Sequence, residues 1–85
     1  MKAEDQLREL EEVAAKKSIK VSYEALHDAG AGGLCKVKGE WRVLIDKRAA
    51  AGDRASVLAA ALAKFPLEDV YMSESTRALI TAKQK

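Results

Sequence analysis

Residues 54–65 constrain this chain more than any other stretch. Val57, Leu58, Ala61, Leu62 and Phe65 recur at three- and four-residue spacing, the period of an α-helix buried along a broad side. Ala59, Ala60 and Ala63 fill much of the remaining surface. A helix this apolar is either the centre of its own domain or the contact face for a partner. Asp53 is placed to cap its start. Pro66 ends it, because the residue before proline avoids helical dihedrals.

The flanking patterns supply what such a helix packs on. Leu7, Leu10, Val13 and Ala14 predict a helix over residues 4–17, with Glu4, Asp5, Glu9, Glu11 and Glu12 early and Lys16 and Lys17 late, as the helix macrodipole favours. The period then changes to two. Ile19, Val21 and Tyr23 alternate with Lys20, Ser22 and Glu24, the pattern of a half-buried strand. Gly30, Gly32 and Gly33 mark a loop after it. Residues 34–37 and 41–46 predict a hairpin around Lys38, Gly39 and Glu40. A three-residue loop puts Val37 opposite Trp41 and Cys35 opposite Val43. That register gathers these apolar groups and Trp41 inward on one face, and sets Lys36 against Arg42 on the other. Leu34 and Leu44 then share the outer face. Residues 67–72 form a short extended stretch burying Val70 and Met72. Ser73 caps a last helix over residues 74–82, which docks Thr76, Ala78 and Leu79.

The expected order is α-β-β-β-α-α. The chain of 85 residues is expected to form a single α+β domain over residues 1–85, with two layers. A three-stranded sheet of antiparallel type carries helices on one face. Apolar residues at 48% exclude a disordered chain, and charged residues at 33% exclude a membrane span. The start is not a signal peptide, and the expected location is cytoplasmic, of a bacterial type. One Cys makes no internal disulfide, and one His builds no multi-histidine metal site. Fifteen basic against 13 acidic residues give a net charge of +2, little attraction for nucleic acid.

Candidate chemistry is sparse. His27 beside Asp28 resembles a general base with its orienter, but neighbours in sequence rarely turn their side chains together. Cys35 is expected to be a small buried hydrophobe unless a neighbour lowers its pKa. His27, Cys35 and Asp46 define one alternative reading, a small metal-dependent or thiol/histidine enzyme. Gly30, Gly32 and Gly33 with a basic outer sheet face of Lys36, Lys38, Arg42, Lys47, Arg48 and Arg54 define another, a weak nucleic-acid or nucleotide binder. Against it, a phosphate loop leads into a helix, whereas this one leads into a strand. Stacking on bases also needs exposed aromatics, and Trp41 is expected inward.

The hairpin Gly33-Leu-Cys-Lys-Val-Lys-Gly-Glu-Trp-Arg-Val-Leu-Ile-Asp46 and the helix Asp53-Arg-Ala-Ser-Val-Leu-Ala-Ala-Ala-Leu-Ala-Lys-Phe65 together resemble the core of ImmA/IrrE-type zinc metallopeptidases. Those have a leading helix, a glycine-containing hairpin and a helix bearing His-Glu-x-x-His. Val70-Tyr-Met-Ser-Glu74 is similar to a later Leu-Leu-Met-Pro-Glu stretch of that family. The resemblance aligns the zinc motif on Ala60-Ala61-Leu62-Ala63-Lys64. Its two metal histidines fall on Ala60 and Lys64, and its general-base Glu on Ala61. Alanine has no ligand atom, and protonated lysine repels a dication. The resemblance therefore implies a degenerate, non-catalytic relative with no metal and no cofactor. The function expected is protein–protein interaction or regulation, with a protein partner or a second copy meeting Ala59, Ala60 and Ala63 on the helix, or Leu34, Leu44 and Trp41 on the sheet.

Overall fold

A computed structural model describes residues 2–25 and 32–84. His27, Asp28 and Gly30 lie outside the described residues. The elements are α1 (Ala3–Lys16), β1 (Lys20–Glu24), β2 (Gly32–Val37), β3 (Glu40–Asp46), α2 (Ala51–Leu62) and α3 (Glu74–Lys83). This is the expected α-β-β-β-α-α order. α1 buries Leu7, Leu10, Val13 and Ala14, the four positions that its periodicity marks. α2 begins at Ala51, with Ala50 at its cap and no side-chain cap bond. Asp53 therefore sits inside the first turn, where its carboxylate meets the positive end of the helix dipole.

The sheet order is β1-β3-β2. β1 pairs with β3 in parallel, and β2 pairs with β3 antiparallel. The sheet is mixed, which corrects the antiparallel expectation. Alternation identifies a strand and its inner face, but strand direction depends on which neighbour the fold supplies.

The hairpin register also differs from expectation. Its loop has two residues, Lys38 and Gly39, with Val37 opposite Glu40, Lys36 opposite Trp41, Cys35 opposite Arg42 and Leu34 opposite Val43. Both loop residues have positive φ, 53° at Lys38 and 80° at Gly39. A turn with two left-handed residues matches the twist of its strands. This register puts Lys36 on the helix side of the sheet. The position is tolerable because it lies at the rim, where the Lys36 ammonium sits 5.1 Å from the centre of the Trp41 ring and keeps its charge near water.

The core lies between the sheet and the α1–α2 pair. Val43, Ile45, Leu58, Leu62, Leu10 and Val13 are its most enclosed apolar side chains. Val21, Tyr23 and Leu34 complete the inner face of the sheet. The order β1-β3-β2 makes β3 the central strand, and its inward residues Val43 and Ile45 are fully buried. α3 packs on the helices and not on the sheet. Its first turn is fixed by Ser73, whose Oγ accepts from the Thr76 amide at 3.3 Å. Glu9 of α1 reaches across to accept from the Ser73 amide at 3.1 Å and from its hydroxyl at 2.6 Å. Those bonds hold the Glu9 carboxyl below its ordinary range, the Ser73 hydroxyl contributing most.

Candidate functional site

The residues named on the sequence fall in three places. Ala59 is fully buried in the core, so it offers no surface. Ala60 is exposed and Ala63 half-buried. Leu34 and Leu44 do not share a face. Leu34 points to the helices opposite Val43, while Leu44 is on the bare side opposite Gly33. Trp41 is on the helix side but stays 37% exposed at the rim and is not buried as expected; its ring meets Phe65 edge-on, 5.4 Å between centroids at 85°.

Two of these residues, Leu34 and Ala60, line one groove between β2 and α2, with a volume of about 290 Å³. Gly33 and Leu34 form its strand wall. Ser56, Val57, Ala60, Ala61 and Lys64 form its helix wall. Two features of the chain create it. Ala60 and Ala61 keep the helix surface low. The lip is open because β2 is an edge strand, with β3 on one side and no described strand on the other. An edge strand presents unpaired N–H and C=O groups. Ser56, Val57 and Lys64 were not chosen as site residues on the sequence. Their signal was present: residues 57, 60, 61 and 64 recur at helical spacing and share one face.

Lys64 lines the groove, and Lys36 follows Leu34 as the next helix-side residue of β2. Lys36 covers Trp41, Trp41 meets Phe65, and Phe65 follows Lys64. Neither lysine forms an ion pair among the described residues, nor does Lys38.

The basic outer sheet face does not assemble. Lys36 is on the other side of the sheet. Arg42 pairs with Glu40 at 3.2 Å, and Lys20 pairs with the same carboxylate at 3.3 Å. That holds the Glu40 carboxyl below its ordinary range, Lys20 contributing most. Arg48 grips Asp46 through Nε and a terminal nitrogen, both at 3.1 Å, and the pairing raises the Arg48 pKa. The Arg54 guanidinium sits 5.5 Å from the centre of the Tyr23 ring and donates to the Lys47 carbonyl. The Tyr23 hydroxyl donates to Glu11. Burial first, and that bond second, push the phenol well above its ordinary value.

Cys35 and Asp46 are not brought together. Cys35 is opposite Arg42, and Asp46 is four residues further along β3, about 14 Å at strand rise. Cys35 faces the bare side of the sheet, which corrects its expected inward position; the two-residue loop reverses the alternation of β2. Among the described residues, no group of three His, Cys, Asp or Glu side chains could hold a metal ion. No helix among them is long and apolar enough to cross a membrane. Comparison of the chain with models of known protein families, with curated proteins and with solved structures finds no match.

Proposed function

We propose that this protein is a non-catalytic interaction module that receives a segment of a protein partner, or of a second copy, along β2 and in the β2–α2 groove. The observation that carries the reading is the groove itself. It is a concave, mainly apolar surface beside an open strand edge, and strand addition uses these two parts together. The main chain of β2 supplies hydrogen bonds, and the hollow over Ala60 supplies room for a side chain. The scaffold is read as a degenerate relative of the ImmA/IrrE-type peptidases. Where that pattern would place imidazoles and a general base, the groove wall carries Ala60, Ala61 and Lys64.

Site-specific photocrosslinking in the native host tests this. p-Benzoylphenylalanine replacing Lys64, exposed on the wall of the groove, is expected to trap one polypeptide in a discrete adduct. The same group replacing Glu12, exposed on α1, is expected to trap none. Light scattering then separates a second copy from a different protein. Identical crosslinking at both positions, or peptide hydrolysis by the pure chain that Ala in place of His27 abolishes, would refute the proposal.

A further inference from the structure

Resting on that docking reading, we infer that the occupant is an extended acidic segment, in which an apolar residue is followed or preceded two positions away by Asp or Glu. The spacing comes from β2. Its inward-facing residues Leu34 and Lys36 are two apart, opposite Val43 and Trp41. A strand added to the edge of β2 that faces no described strand repeats that alternation, with inward side chains about 6.8 Å apart. One such side chain lies over Leu34, Val57 and Ala60 in the groove. The next lies toward Lys36. Lys64 lines the groove and Lys36 is the next inward residue of β2; among the described residues the groove lining contains no acidic residue, and neither lysine has an ionic partner.

Charge also separates this occupant from its rivals. The β2 segment Gly32–Val37 has the sequence GGLCKV and no acid. A second copy paired edge to edge would offer these lysines no carboxylate, and lysine on an edge strand opposes such pairing. A nucleic acid would share the charge preference but has no use for an apolar hollow walled by Leu34, Val57 and Ala60.

The probe is a capped threonine heptapeptide with leucine at its centre and glutamate two positions on, followed by amide correlation NMR of the full chain. Expected shift changes are confined to residues 33–37 and 56–64. A peptide with lysine in place of the glutamate is expected to bind about fivefold more weakly or worse, the modest range of partly exposed ion pairs. Lys64→Glu should abolish the preference, because the carboxylate introduced there would offset Lys36; residue 64 is exposed and its change leaves the core intact. Equal binding of the two peptides at these residues overturns the acidic class and leaves the docking reading standing. Changes elsewhere, or none with either peptide, overturn both. An oligothymidylate that shifts the same amides as strongly as the glutamate peptide overturns the peptide assignment.

Discussion

Two alanines adjacent on α2 allow the fold and the site to be tested with one pair of substitutions. Ala59 is fully enclosed, whereas Ala60 is exposed on the wall of a groove of about 290 Å³. Leucine at either position adds the same isopropyl group. Alanine and leucine differ by only a few tenths of a kcal/mol in helix propensity, so any large difference between the variants reports tertiary surroundings. At Ala59 the added atoms meet a filled core, and overpacking costs about 1–3 kcal/mol. A domain of this length has roughly 4–13 kcal/mol of stability in all, so the loss is a large fraction. At Ala60 the added atoms enter open space, and exposed substitutions stay within about 0.5 kcal/mol. With a urea slope near 1 kcal/mol per molar, the unfolding midpoint of Ala59→Leu should fall by about 1–3 M. That of Ala60→Leu should move by about 0.5 M or less. Thermal unfolding offers a second scale, about 4–8 °C for each kcal/mol in a domain this small. Ala60→Leu should fold normally and lose the heptapeptide, because its side chain occupies the hollow. Equal losses of stability in the two variants would refute both the rotation of α2 and the groove.

Other measurements probe the supports of the fold. Ionised Glu9 accepts both Ser73 bonds more strongly than the neutral acid does. A carboxyl held below its ordinary value of 4.5 contributes stability above that pH, and loses it as the pH falls through the folded-state value. The urea midpoint should therefore drop on acidification below about pH 5, and Glu9→Gln should flatten that part of the curve. Ser73→Ala should cost about 1 kcal/mol through the lost cap of α3, read from the same unfolding curves. Gly39→Ala places a Cβ at φ 80° with no steric neighbour within 4 Å, so its cost is backbone strain alone, about 1–2 kcal/mol. Leu58→Ala, at a fully buried position, should lose about 2.7–5 kcal/mol, and a smaller loss would show that the core can collapse around the gap.

Local regularities were legible in the sequence, and pairings between distant strands were not. Periodicity alone located Leu7, Leu10, Val13 and Ala14 in α1, and Ser73 was recognisable as a cap because its hydroxyl serves the next turn. Those are interactions within a few residues. The direction of β1 against β3 depends on a contact between residues about 20 apart in sequence, and alternation carries no information about direction. The hairpin register failed for a different reason. Expelling Lys36 from the helix side looked obligatory, yet at the end of an edge strand the inner face is already rim, and Trp41 receives the ammonium. The pair Lys38-Gly39 was the better signal, because glycine at the second loop position favours a two-residue turn.

The same uncertainty about rotation hid the site. Composition treats the alanines of α2 as equivalent, but successive helical residues point about 100° apart. Ala55 and Ala59 are buried and belong to the packing that lets α2 sit deep in the fold, whereas Ala60 stays exposed on the wall of the groove beside Ala61. A helix apolar all round satisfies two demands at once: most of its surface closes the domain, and one narrow strip is left beside β2. That strip includes Lys64. A packing seam left by chance would be improved by filling it, and would be indifferent to the charge of what approached. The two properties separate experimentally. If Ala60→Leu stabilises the fold without weakening the heptapeptide, the hollow is a seam. If it leaves stability near the parent value and expels the peptide, the small side chain at residue 60 is what keeps a binding surface open.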